Sequence, residues 1–236
     1  RRRRARDFLD KGWSVVATMR RPDKELLPAT DRLRVLALDV TEPDSIARAV
    51  DAAGPIDALV NNAGIGWLSP FEATSAETVR RIFDTNTFGA FEMIRAVLPQ
   101  LREKGGGVIV NVSSSVTMLP LPLLPVYTAS KAALNAFSEC LALELAPLGI
   151  RTRLVLPGQA PATHFSSNAR ALMADAAEAP AAYKPFIDKA VSTLMENASK
   201  EPTRPEDVVR AVWRAVTDPD CPLHLPAERD AEALAA

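Results

Sequence analysis

A tyrosine and a lysine stand four residues apart, Tyr127 and Lys131, and a serine, Ser114 in the run Ser113-Ser114-Ser115, precedes the tyrosine by thirteen positions. Positions i and i+4 share one face of a helix, one turn apart. A phenol beside an ammonium is expected to release its proton more readily than a free one, whose pKa is about 10. A general acid/base working near neutral pH needs that property. A serine hydroxyl at the end of a strand can polarise a carbonyl. The chemistry these three side chains would do together is proton transfer to an oxygen whose carbon gains or loses hydride.

The pair alone says little, because many surface helices carry Tyr-x-x-x-Lys by chance. The elements around it say more. Gly107-Val108-Ile109-Val110-Asn111-Val112 is an apolar run with strand character and leads directly into the serines. The pair opens a helical pattern over Ala129–Ala146. Upstream, Ile56–Val60 reads as a strand and is followed by Asn61-Asn62-Ala63-Gly64. Thr74-Ser75-Ala76-Glu77 reads as a capping box for a long amphipathic helix that carries Val79, Ile82, Phe83, Ile94, Val97, Leu98 and Leu101 inward, with Asn86 in the middle. Downstream, strand Arg151–Leu156 runs into Pro157-Gly158.

In this order and spacing the chain resembles the short-chain dehydrogenase/reductase family. The resemblance runs from about Trp13 to Thr163, and more loosely to the C-terminus. It implies an α/β, Rossmann-like, doubly wound parallel sheet in a single domain over residues 1–236, with residues 163–202 as a variable substrate lid. It also implies a catalytic set of Asn86, Ser114, Tyr127 and Lys131. Tyr127 is then the acid/base, Lys131 lowers its pKa and holds the cofactor ribose, Ser114 holds the substrate oxygen, and Asn86 supports a proton relay. Asn61, Ala63, Gly64, Pro157, Gly158 and Thr163 line the dinucleotide. One extra residue precedes Thr163 relative to the family's Pro-Gly-x-x-x-Thr.

Cofactor choice is read at two strand ends. Trp13–Met19 is a strand, and Met19-Arg20 falls where NAD-selective relatives carry an acidic residue. A guanidinium there suits a 2′-phosphate, so NADP is expected over NAD. Leu33–Leu38 is the next strand, and Asp39-Val40 at its end matches the residues that border the adenine, although Asp39 could equally start the turn before Pro43.

Ahead of the first strand, Arg1 to Gly12 reads as the end of a helix, with Gly12 as its stop. The family places a strand and a Gly-rich pyrophosphate turn before such a helix, and no Gly-x-x-x-Gly-x-Gly occurs here. The expectation is a fold lacking its first, central strand. The preferred reading is a fragment or a wrongly started reading of a complete enzyme, because the catalytic set is whole. The alternative is a non-catalytic scaffold or binding module.

Composition limits the remaining classes. The net charge is −1, with both signs scattered, which argues against nucleic acid or a polybasic membrane surface. No apolar run of membrane-spanning length occurs. Two cysteines, Cys140 and Cys221, are too few for a disulfide framework, and Cys140 falls in an apolar helical pattern as a buried thiol. This reads as a reducing, cytoplasmic protein. His164 and His224 stand apart from any cysteine cluster, so no metal is expected. Partners are then a small-molecule substrate and a second copy of the chain. A homodimer or homotetramer would form through the Asn86 helix and the Ala129–Ala146 helix, where Ala132, Ala133, Ala136 and Ser138 permit close packing. Val116–Pro125, rich in leucine and proline, would wall the substrate site or pack the core. Met173, Tyr183 and Phe186 would line or pack the lid. Thr203 caps a final helix from Pro205 to Val216, and Cys221–Leu225 is a last edge strand.

Overall fold

The structure is a computed structural model that describes residues 2–23, 30–158, 179–196 and 203–227. Thr163, His164 and Met173 lie outside the described residues.

Strands and helices are interspersed along the described chain. Helix α1, Arg2–Asp10, is followed by β1, Val15–Met19, and β2, Leu33–Ala37. Then come α2, Pro43–Ala53; β3, Ala58–Asn61; α3, Ala76–Phe83; α4, Gly89–Lys104; and β4, Gly107–Val112. The second half holds α5, Pro125–Leu145; β5, Ile150–Pro157; α6, Lys184–Glu196; α7, Pro205–Thr217; and β6, His224–Ala227. Gly12, at φ +90°, stops α1 in the left-handed conformation that glycine adopts without steric cost.

All recorded strand pairs are parallel, as βαβ connections require. The strands form two sheets. β1 pairs with β2, and β3, β4, β5 and β6 follow one another in order. The break falls between the strands that would flank the central strand the sequence reading leaves out. Strand alternation separates two cores. Ile109 and Ile150 pack with Met93, Ile94, Val97 and Leu101 of α4 and with Leu141 and Leu145 of α5. Val108, Val110, Val112 and Val155 pack on the opposite face against Val208, Val212 and Val216 of α7. Helices therefore cover both faces of the four-stranded sheet, and its parallel strands are apolar almost throughout. A triad of aromatic rings, Phe8, Trp13 and Trp213, joins α1 and β1 to α7 through edge contacts at 5.0–6.2 Å. Lys11 lies 4.0 Å above the Trp213 ring.

Several details differ from the sequence expectation. The N-cap of α3 is Ser75, whose hydroxyl accepts from Thr78 N–H. Thr74 instead accepts from Trp67 Nε1 at 2.9 Å, because its hydroxyl lies buried beside the indole. The long helix expected through Asn86 is interrupted by a π-helical turn, Asp84–Phe88. α5 starts at Pro125, which puts Tyr127 in its first turn, not ahead of it. Cys140 is exposed and Cys221 buried, because the inward stripe of α5 is Leu134, Ser138, Leu141 and Leu145. Ser138 likewise points into the protein, not toward a partner. The α7 N-terminus is closed by Asp207, whose Oδ2 accepts from Arg204 N–H at 2.7 Å, while Thr203 bonds elsewhere.

Gly89, just after the π turn, packs closely against the loop that follows β2. A Cβ there would stand 2.7 Å from Val40 Cγ2 and 2.9 Å from Val40 Cβ. Gly89→Ala must move Val40 or the helix and is expected to cost about 1–3 kcal/mol, read as a lowered denaturation midpoint in urea at unchanged slope.

Candidate active site

The C-terminal ends of parallel strands form the crevice in which open α/β sheets bind ligands. Here the end of β4 carries Ser113-Ser114-Ser115. Ser114 is extended at φ −163°, and its Oγ accepts weakly from Val116 N–H at 3.4 Å, opening a short 3₁₀ turn, Ser115–Thr117. Thr117 Oγ1 donates to Ser114 O at 2.8 Å, and Asn135 Nδ2 donates to Thr117 Oγ1 at 3.0 Å, so α5 holds the turn in place.

The tyrosine and lysine sit on the first turns of α5 with only 6% and 3% of their surface exposed. The Tyr127 hydroxyl is hydrogen-bonded to Ser114. Lys131 Nζ donates to Val112 O at 2.9 Å. Serine, tyrosine and lysine therefore converge as their spacing implied. The electrostatics differ from the sequence expectation. Burial pushes the Tyr127 phenol up to about 12, with the Ser114 hydrogen bond opposing it. Burial pulls Lys131 down to about 8. Desolvation dominates at both groups, which are withdrawn from water, and the ammonium is engaged by the Val112 carbonyl.

Asn86 is placed by the π turn, an irregularity that recurs at functional sites. It is 1% exposed and fully engaged. Its Oδ1 accepts from Ile65 N–H at 2.8 Å, and its Nδ2 donates to Ile65 O and to Ser130 Oγ, each at 3.0 Å. Ser130 Oγ then donates to Tyr127 O at 2.7 Å, and Thr87 Oγ1 donates to Ser130 O at 2.8 Å. Sequence reasoning left Ser130 without a role. The signal available was its place on the same inward face as Tyr127, Lys131 and Ser138.

Gly64 completes this corner. A Cβ on it would sit 3.4 Å from Asn86 Oδ1 and 3.5 Å from Lys131 Nζ, so glycine keeps open the space beside the ammonium. Asn61 ties the sheet together: its Nδ2 donates to Asn111 Oδ1 at 2.9 Å, and Asn111 Nδ2 donates to Ser138 Oγ at 2.8 Å. Ala63 and Gly64 are half-buried on the same loop. Pro157 ends β5 beside β4, where Ser113 N–H donates to Val155 O at 2.8 Å.

The second cluster lies at the ends of β1 and β2. Asp39 Oδ1 accepts from Thr41 N–H at 3.1 Å and from Thr41 Oγ1 at 2.8 Å, which makes it a turn-former as well as a strand-end carboxylate. Those bonds, with the charge of exposed Arg20 nearby, hold its carboxyl below the usual range. Val40 follows, pressed against Gly89.

Between serines and tyrosine, the leucine-rich loop turns through Leu123, buried at 5% with φ +64°. A leucine there costs roughly 1–2 kcal/mol. The bend is held by Ser69 N–H donating to Leu123 O at 2.8 Å, which ties this loop to the one following Gly64. Leu119 points outward, 46% exposed. The loop thus both packs the core and presents an apolar surface.

Gly64, Lys131 and Tyr127 are the residues that would hold a nicotinamide ribose, and the missing side chain at Gly64 leaves the ammonium open on that side. Among the described residues no Gly-rich turn is present for a pyrophosphate.

The pattern of the short chain dehydrogenase family matches residues 2–173. An uncharacterised oxidoreductase of Bacillus subtilis, YusZ, is 37% identical over 220 residues, covering 89% of this chain and 78% of that protein. Human retinol dehydrogenase 8 is 34% identical over 232 residues, covering 90% and 72%. Among solved structures, a short chain dehydrogenase of Burkholderia cenocepacia in complex with NADP superposes with a TM-score of 0.74 at 27% identity, covering 98% of this chain and 84% of that one. A matched family pattern over most of the chain, an α/β fold of parallel strands and relatives that are oxidoreductases lead to one conclusion: this chain belongs to the short-chain dehydrogenase/reductase family.

Proposed function

We propose that the protein is an NADP(H)-dependent carbonyl reductase, or alcohol dehydrogenase in reverse, acting on apolar substrates by a Ser-Tyr-Lys mechanism. The observation that carries this reading is the buried Tyr127 hydroxyl bonded to Ser114 at the end of β4, one helical turn from Lys131. The cofactor supplies or removes the hydride at the carbonyl carbon. Ser114 and Tyr127 hold the carbonyl oxygen between their hydroxyls. Tyr127, whose pKa is about 12, is protonated throughout the neutral range and so stands ready to donate as the oxygen gains charge. Lys131, cationic below about pH 8, stabilises the tyrosinate left behind and binds ribose hydroxyls. Asn86 fixes the Gly64–Ile65 loop against the catalytic turn of α5 and supports return of the proton.

Arg20 and Asp39 form the adenosine end, with Arg20 on the 2′-phosphate; the NADP complex of the Burkholderia relative supports this choice. Leu119 and its loop favour an apolar substrate, in keeping with a relative named for retinol. The assembly is a homodimer or homotetramer. Exposed Phe88, beside Phe83, and an apolar hollow of about 180 Å³ lined by Phe71, Phe83 and Val126 support that assembly. No described helix is long and apolar enough to cross a membrane. The free cysteines Cys140 and Cys221 favour a reducing cytoplasm. A second reading is a scaffold without turnover: among the described residues β1 and β3 each have one edge without a partner strand.

Titration with NADPH and NADH separates the readings. The enzyme reading expects tighter NADPH binding, and Arg20→Ala should weaken NADPH roughly tenfold, about 1.4 kcal/mol, leaving NADH unchanged. A well-folded chain that binds neither would favour the scaffold.

A further inference from the structure

Thr203 is buried, 3% exposed, and does not cap the helix it precedes. Its Oγ1 accepts from Gly158 N–H at 3.0 Å and donates to Ala227 O at 3.1 Å. The place of these two bonds in the sheet gives them meaning. In the β5–β6 ladder, Leu154 N–H donates to Leu223 O at 2.7 Å, with Leu154 opposite His224 and Pro157 opposite Ala227. A parallel ladder repeats every two residues. Two steps along, the next rung of this series is Gly158 N–H to Ala227 O. The Thr203 hydroxyl occupies that rung, accepting from its donor and donating to its acceptor. A direct bond would bring the two backbone groups to about 3 Å. The inserted hydroxyl holds them farther apart, so β5 parts from β6 at Gly158 while both backbone groups stay satisfied.

Gly158 lies at the crevice. It follows Pro157 on β5, next to the β4 end that carries Ser113 and Ser114. We propose that Thr203 is a positioning residue for the nicotinamide end of the site: by replacing one rung of the ladder with a hydroxyl, it sets how far the Pro157–Gly158 peptide stands from β6 and hence where it meets the cofactor. This rests on the dinucleotide reading above. The hydroxyl has to both accept and donate, which serine can reproduce and alanine or valine cannot.

Alanine and valine fail differently. Thr203→Ala leaves room for the direct rung to close, so Gly158 shifts toward β6 with its amide still bonded. Thr203→Val fills the space and leaves Gly158 N–H and Ala227 O unpaired. In the cofactor-free full chain, amide hydrogen exchange at Gly158 should stay slow in wild type and Thr203→Ala and become at least tenfold faster in Thr203→Val. With cofactor, Thr203→Ala should lower kcat about ten- to a hundredfold, since displacements near 1 Å can cost that much. It should also weaken NADPH while leaving binding of adenosine 2′,5′-bisphosphate, which lacks the nicotinamide, unchanged. Thr203→Ser should restore all three readouts. Unchanged exchange in Thr203→Val would overturn the inserted rung. Equal loss of NADPH and of the bisphosphate in Thr203→Ala would reduce the residue to a general structural role and overturn the proposal. Wild-type protein with slow Gly158 exchange that binds no dinucleotide would instead remove the cofactor reading, and the assignment to the nicotinamide with it.

Discussion

Tyr127→Phe is expected to lower kcat for carbonyl reduction about a hundred- to ten-thousandfold, the range a positioned acid/base contributes, with the Kd for NADPH held within about twofold. The ring of Tyr127 is buried at the start of α5, and phenylalanine fills the same space. What is lost is the hydroxyl bonded to the Ser114 side chain and able to deliver a proton. A loss of this kind appears in kcat and not in cofactor affinity, because the interaction is made with the substrate oxygen as it gains charge. Steady-state kinetics with a fluorescence titration of NADPH decide it. Wild-type turnover in the phenylalanine variant would remove Tyr127 from the chemistry and with it the proposed mechanism.

Lys131→Met should abolish turnover and at the same time raise stability. The lysine is buried and its pKa falls from 10.5 to about 8, so the folded state disfavours the charge it carries at neutral pH. At 1.36 kcal/mol per pKa unit this amounts to about 3 kcal/mol. Loss of its bond to Val112 O returns about 1 kcal/mol, leaving a net gain of about 2 kcal/mol. The pH dependence has a definite sign. Between about pH 8 and 10.5 the unfolded chain holds a proton on this lysine that the folded chain has released, so wild-type stability rises with pH in that window. Tyr127 acts in the opposite sense above its free value of 10, where the folded chain keeps the proton up to about 12 and stability falls. Urea titrations from pH 7 to 10 should show the rise in wild type and its loss in Lys131→Met. A destabilised methionine variant would mean that the ammonium is better solvated than its burial implies. Such a trade of stability for function is common at active sites.

The sequence by itself determined the family and most of the elements. Gly107–Val112 is a strand with the expected bounds, because six residues bounded by glycine and serine, rich in valine and isoleucine, fit only a buried parallel strand. The i, i+4 spacing placed Tyr127 and Lys131 on one helical face, and the serines at a strand end had one crevice to enter. These are local properties, carried by periodicity and by turn residues. Tertiary structure decided what depends on partners distant in sequence. It broke the long helix into a π turn at Asn86, whose amide is bound by Ile65 and Ser130. It moved Thr203 from a helix cap into the β5–β6 ladder, 45 residues from Gly158. It turned Cys140 outward through the phase of α5. It reversed the expected effect on the tyrosine as well, since a pKa follows from burial as much as from neighbours, and a spacing of four residues reports the neighbour and not the water excluded around it.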